Sequence, residues 1–305
     1  TTTEKTDITG IQEVGTYSFS GITTGIYVAT NYAYMIDRTS GMLRIVDISN
    51  PKNPNEISNY HPKLDKESLC DVCVNGKYAY LTSDKRMFTI DISNPSNPKE
   101  VSIYNEASGD IFIVGNYAYV YTGGTPSAAF GKIDISNPQK PKRISGQYGY
   151  SNTGNAKFYV DGNYLYMING KLQIIDISDP KNLKEIGISN TGGNSIQVAG
   201  KYAYLASSEG LTIVDVSDPK NPNVIGQRDT QSLIDIFVLG KYAYVTSTFF
   251  GLYVIDVSDP KNPRIVTQYN IQYEISGNAV SGIFVTNGYV YMANSKGGLL
   301  ILKCI

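Results

Sequence analysis

The pentapeptide Asp-(Ile/Val)-Ser-(Asn/Asp)-Pro occurs six times in this chain, beginning at Asp47, Asp91, Asp134, Asp176, Asp215 and Asp256. A polar motif that returns six times constrains the fold more than any single residue does, because it serves six equivalent places in a repeating scaffold rather than one active site. A second element keeps step with it. Tyr32-Ala33-Tyr34 recurs at 78–80, 117–119, 164–166, 202–204, 242–244 and 289–291, with Leu165 and Val290 in place of the alanine. The first tyrosines of these seven copies are 46, 39, 47, 38, 40 and 47 residues apart, which is the length of one four-stranded propeller blade, roughly 40 to 50 residues. Helical repeats of similar period are excluded, since the units are rich in Val, Ile, Tyr and Thr and show no sustained 3.6-residue pattern.

The unit around residue 240 shows how a blade is written. Asp235-Ile236-Phe237-Val238-Leu239 is apolar on both faces, as an innermost strand sandwiched between neighbouring sheets has to be. Gly240-Lys241 makes a tight reversal and 242–246 runs back as a second strand. Equivalent turns at Asn75-Gly76, Asp161-Gly162 and Asn287-Gly288 use residues that accept the positive φ of a two-residue hairpin. A third strand, 252–257, stops at Ser258-Asp259-Pro260-Lys261-Asn262-Pro263, whose prolines have no N–H to give a ladder. The stretch 264–269 is then the outermost strand. These four strands are lettered A to D from the inside outward.

The seventh copy lacks a strand D: after Leu299–Leu302 only three residues follow, with no proline turn. A matching stretch stands at the other end of the chain, where 11–17 resembles the strand D stretches 223–227 and 99–104. The expected architecture is an all-β, seven-bladed β-propeller of four-stranded blades, its ring closed by an N-terminal strand that completes the last blade. Residues 1–305 then form one domain, with 1–10 a polar lead-in and 11–20 the clasp.

The repeated Asp, Ser and Asn/Asp are assigned to the turn itself, where short side chains accept hydrogen bonds from backbone N–H groups. A calcium loop needs several convergent oxygens and more acidic residues at alternate positions, so no metal site is expected, and no cofactor. His61 is the sole histidine, which removes a Ser-His-Asp triad or a multi-histidine metal centre; 61–67 reads as a solvated polar insertion between blades. Cys70, Cys73 and Cys304 imply no disulfide framework, and Cys73 aligns with Phe or Tyr of other copies as a small core residue. Twenty-six basic against 27 acidic residues give no reason to expect nucleic acid or an anionic membrane as partner. No apolar run approaches the roughly 18 residues of a membrane-spanning helix. The N-terminal Thr1–Thr6 lacks an initiator Met and fits a mature exported protein or a trimmed chain.

The Tyr-Ala-Tyr strand followed by Ile-Val-Asp-(Ile/Val)-Ser-(Asn/Asp)-Pro-x-x-Pro resembles the LVIVD-repeat family across nearly the whole chain. The resemblance implies a bacterial or archaeal β-propeller repeat protein, often exported or surface-attached, and brings no shared catalytic residues. Other propeller families fit less well, since a chain with no Trp has neither a WD dipeptide nor a complete sialidase-type Asp-box.

Within such a ring the A–B and C–D turns share one face, and the B–C loops and D–A crossovers share the other. The first set is nearly uniform here. The second varies, with long crossovers at 60–69, 148–155 and 269–279 and a long B–C loop at 122–130. Repeat proteins bind on the face where insertions occur, so that face is the candidate site. Tyr148, Tyr150, Phe249, Phe250, Tyr273 and Glu274 break the repeat there and are the candidate ligand-binding residues. At the start of the innermost strands the aligned positions are Gly25, Asp71, Asp110, Lys157, Ser195, Asp235 and Gly282. The three aspartates, with Lys157, mark a channel mouth that either attracts a cation or a basic partner segment or is a set of solvated strand ends. The expected function is a non-catalytic, exported or cell-surface module, monomeric as a propeller, that binds a protein or polysaccharide through the variable face. The alternative is a carbohydrate-active enzyme, a glycoside hydrolase or lyase, using carboxylates near the channel mouth.

Overall fold

The computed structural model describes residues 7–122, 129–144, 148–149, 156–271, 280–294 and 297–305, of 148–149 the backbone alone. They form seven antiparallel sheets arranged as the blades of a β-propeller. Blade 1 is Thr23–Ala29, Tyr32–Asp37, Met42–Asp47 and Asn55–Tyr60 as strands A to D, and the other blades repeat it. The A–B reversals take positive φ, +56° at Gly162 and +52° at Thr30, where blade 1 manages without a glycine. Blade 3 departs from the pattern. Its strand D is only Lys142–Arg143, and Tyr148–Gly149 pairs with Phe130 and Ala129 further along the same edge.

Ring closure follows the expected route. Ile11–Ser18 pairs antiparallel with Gly298–Cys304, from Ile11 opposite Cys304 to Ser18 opposite Gly298, and so supplies strand D of blade 7. Beyond the ladder, the N–H groups of Thr9 and Gly10 donate to the Ile305 carbonyl at 2.7 and 2.9 Å. The clasp is also tied sideways to its neighbours. The Tyr17 hydroxyl donates to Glu56 of blade 1, and Tyr269 of blade 6 donates to Glu13. Arg44 of blade 1 bonds the fully buried Asp37 at 2.8 Å and Glu56 at 2.7 Å, and its guanidinium lies 4.0 Å from the Phe19 ring centroid.

The buried apolar side chains of the described residues fall into seven clusters, one at each junction between blades. Between blades 5 and 6, for instance, Tyr204, Leu211 and Ile213 meet Ile236, Val238 and Val245. Each such fully buried side chain contributes about 1.5–3 kcal/mol, so cohesion lies between blades as much as within them.

The repeated Asp motif sits at these junctions. In all six copies the serine N–H donates to Oδ1 of the aspartate two residues before it, at 2.8–2.9 Å. The following Asn or Asp caps the N–H two residues on in the same way, at 2.9–3.2 Å. The turn so formed presents its proline carbonyl to strand D of the preceding blade. Ser58 and Ser102 donate their hydroxyls to the carbonyls of Pro95 and Pro138 at 2.5 and 2.6 Å. At the equivalent register Gly15, Gly187 and Gly226 have no Cβ, and the carbonyls of Pro51, Pro219 and Pro260 occupy the place where one would be.

The insertion at 61–67 is more ordered than a solvated loop. His61 is exposed, but Pro62 is buried, and Glu67 bonds Arg86 at 2.8 Å while Arg86 reaches the Lys63 carbonyl at 2.7 Å. The arginine that holds this crossover comes from the next blade's B–C loop, which the spacing of the repeats does not reveal.

Candidate functional site

Strand A of every blade starts on the face that carries the B–C loops and D–A crossovers. The period-2 alternation of a strand sends Ile26 and Val28 into a blade junction and leaves Gly25 and Tyr27 along the ring's central channel. Seven such strands make two tiers around a space of about 660 Å³. The upper tier, at the variable face, holds Asp71, Asp110, Lys157 and Asp235 together with Ser195, Gly25 and Gly282. The four charged residues singled out from the sequence therefore come together, although they are spread over 165 positions of chain.

They are partly exposed to the channel and also bonded to the ring. Asp71 accepts the N–H of Val72 at 2.8 Å and that of Ile111, from the next blade, at 3.2 Å. Asp235 repeats the arrangement, accepting from Ile236 at 2.9 Å and from Ile283 of blade 7 at 3.1 Å, and adds the Ser195 hydroxyl at 2.6 Å. Lys157 pairs with Asp110 at 2.8 Å, so blades 3 and 4 are joined by an ion pair. Burial, and then the charge of Asp110, pushes the Asp71 carboxyl up to about 7. Burial likewise raises Asp235 against the pull of the Ser195 hydrogen bond and Lys157. For Lys157, burial works against the ammonium form, but the charges of Asp110, Asp71 and Asp235 outweigh it and its pKa rises.

The lower tier was missed in the sequence. It is aromatic: Tyr27, Phe112, Tyr159, Phe237 and Phe284, interrupted by Cys73 and Gln197. Phe284 lies 4.9 Å from Tyr27 and 5.1 Å from Phe237, centroid to centroid, and Phe112 lies 4.6 Å from Tyr159. Gln197 spends both ends of its amide on the Val238 backbone, at 2.6 and 3.1 Å. The signal was present two residues after each aligned polar position, but a strand apolar on both faces hides which apolar residues face a channel.

The loop candidates divide. Phe249 and Phe250 occupy the B–C loop of blade 6, 62% and 39% exposed. Their turn is held by the Thr248 N–H on the Ser232 carbonyl, at 3.0 Å, and the Phe249 N–H on the Ser247 hydroxyl, at 3.3 Å. Tyr148 lies in the short strand at the edge of blade 3 rather than in a crossover. Tyr150, Tyr273 and Glu274 lie outside the described residues, as does the B–C loop at 123–128. No helix among the described residues is long and apolar enough to cross a membrane.

The model of the LVIVD repeat matches residues 20–61, 68–106, 107–148, 154–191, 193–230, 233–271 and 276–302. The chain belongs to the LVIVD repeat family. The matched segments follow the blades, each running from at or before the start of strand A to about the end of strand D, and the seventh ending in strand C. No curated protein matches this LVIVD chain. Solved structures similar to the propeller include Saccharomyces cerevisiae Sqt1, with a TM-score of 0.70 at 8% identity over 96% of this chain and 99% of that one. The computationally designed Ika8 protein gives 0.63 at 9%, over 96% and 99%. BamB from Moraxella catarrhalis gives 0.59 at 11%, over 96% and 97%. At such identities the likeness concerns the fold alone.

Proposed function

We propose that this LVIVD propeller is a non-catalytic interaction module that works outside the cell and takes a partner protein onto its variable face. The observation that carries the reading is the pair of adjacent exposed phenylalanines, Phe249 and Phe250, on the face where the charged channel tier opens. Large aromatics held out on an ordered turn are the anchors that dominate protein interfaces, and a rigid ring presents them at little entropic cost. The extracellular placement rests on the family resemblance, whose members are often exported or surface-attached.

Carbohydrate-active chemistry is the second reading, and one observation favours it. A carboxyl held near pH 7, as at Asp71, is what a general acid requires. Against it, both Asp71 oxygens accept backbone N–H groups from the ring itself.

The test compares the parent ring with the Phe249→Ala/Phe250→Ala variant in covalent capture of extracellular proteins and on a glycan and polysaccharide panel. Proteins captured by the parent and lost by the variant are the expected result. Glycan binding lost by the variant would transfer the face to a polysaccharide, and product release from that glycan would establish the enzymatic reading. Identical capture profiles for parent and variant would remove the aromatic pair from any site.

A further inference from the structure

The channel is lopsided in a way that ring closure does not require. Going round the upper tier, the blades contribute Gly25, Asp71, Asp110, Lys157, Ser195, Asp235 and Gly282 in turn. The two glycines are neighbours, in blades 1 and 7, and they leave a gap in the tier above Tyr27 and Phe284. Asp71 borders this gap on one side and Asp235 on the other, while Lys157, in blade 4, stands across the ring and is committed to Asp110. Neither Asp71 nor Asp235 has an ion-pair partner among the described residues. Just before Gly25, the hydroxyl oxygen of Thr24 is buried in the channel wall with no hydrogen-bond partner among the described residues.

The gap is kept open by the sequence. A Cβ on Gly25 would come 2.9 Å from Asp71 Oδ1, so any larger residue there would displace the carboxylate. The result is a recess with an aromatic floor and two flanking carboxylates. Ring faces attract cations by about 0.5–2 kcal/mol, most strongly where water is excluded, and above pH 7 two carboxylates whose nearest ammonium, Lys157, is bonded to Asp110 add a negative potential that narrow low-dielectric walls concentrate.

We propose that this recess binds an organic cation, an alkylammonium or guanidinium group seated on Tyr27 and Phe284 between Asp71 and Asp235. The cation comes either as a free small amine or as a lysine or arginine side chain of a segment docked on the variable face. Only the second source rests on the function proposed above. A hydrated metal ion is disfavoured, since the aromatic floor offers it no oxygen and both carboxylates already accept backbone hydrogen bonds.

The experiment titrates the whole chain at pH 8 with n-butylammonium, with N-acetyl-lysine methylamide and with neutral N-acetyl-norleucine methylamide, following the ring signals of Tyr27 and Tyr159 by NMR. Saturable binding of the cations at least tenfold tighter than of the neutral probe is expected. The key variant is Gly282→Lys: a Cβ there comes closest to a side-chain methyl, Ile26 Cγ2, at 3.2 Å, with Ile26 N at 3.7 Å and Ala293 Cβ at 4.0 Å, and the new side chain carries its own ammonium into the recess. It should keep or raise the melting temperature and lose cation binding. N-acetyl-lysine methylamide binding tighter than n-butylammonium, the same ammonium without a backbone, identifies a polypeptide side chain as the natural occupant, and the reverse order a free amine. No saturable cation binding, equal binding of the neutral probe, or parental affinity in folded Gly282→Lys would each overturn the site. Capture that depends on Phe249 and Phe250 is scored on a different surface, so loss of the recess leaves that reading standing.

Discussion

Replacing Gly226 with alanine tests whether the Asp-motif turn is a joint between blades as well as a turn. A Cβ at 226 would stand 3.0 Å from the Pro260 carbonyl carbon and closer still to its oxygen, both rigid backbone of blade 6. Neither atom has a rotamer to escape into, so the two blades must part by about 1 Å, a gap that forfeits up to about half the dispersion well at each contact it opens. The contacts at risk are those of Ile213, Ile236 and Val238 in the junction between blades 5 and 6. Overpacking of this kind costs about 1–3 kcal/mol, and for a domain of this size each kcal/mol lowers the melting temperature by about 2–4 °C. Calorimetry of Gly226→Ala should show that loss. Gly226→Ser should be the milder change, because its hydroxyl can donate to the Pro260 carbonyl as Ser58 does to Pro95. An alanine variant that melts with the parent, or a serine variant less stable than the alanine one, would refute the reasoning.

Deleting residues 1–18 should lower the melting temperature of the entire ring in one transition, because it removes strand D of blade 7 and the Tyr17 and Glu13 bonds to both neighbours; an unchanged melt would disprove the clasp. Arg44→Ala leaves the fully buried Asp37 without its cation and should cost about 3–5 kcal/mol by chemical denaturation, with Arg44→Met/Asp37→Leu recovering most of it. Asp71 carries a folded-state pKa near 7, raised from an ordinary 3.8. The folded state therefore holds a proton that the unfolded chain releases, and stability from this group is present below about pH 4 and declines as pH rises toward 7. In melts from pH 4 to 8, Asp71→Asn should flatten that decline, and parallel profiles would show that Asp71 titrates normally. Below pH 4 a separate loss is expected in both proteins, since Asp91, Asp134, Asp176, Asp215 and Asp256 are held below their ordinary value by the serine hydroxyls and N–H groups they accept from.

The repeat made the fold legible. Copies of Tyr-Ala-Tyr and Asp-(Ile/Val)-Ser-(Asn/Asp)-Pro spaced 38 to 47 residues apart give blade number, strand order and closing strand, because each copy has to form the same strand and the same turn. The polar tier of the channel was legible for the same reason, since Asp71, Asp110, Lys157 and Asp235 align once the repeats are superposed. What lies under it was not. Tyr27 and Phe284 sit in strands apolar on both faces, and only the geometry of seven strands around an axis separates residues between blades from residues lining the hole. The pinning of the 61–67 crossover by Arg86 was equally hidden, because a salt bridge between two non-repeating loops leaves no mark in a periodic pattern.

The closing blade also sets how the ring answers to mechanical load. Ile11 lies opposite Cys304 at one end of an antiparallel ladder, so the first and last strands meet the rim of the ring at the same corner. Tension applied between them falls on the Thr9–Ile305 bond and its neighbours first and peels the ladder rung by rung, whereas a sideways force on any blade is shared by a whole junction. A tether pulling on both ends would thus open the ring into a linear array of blades at low force, and the seven blades would separate in sequence from that corner.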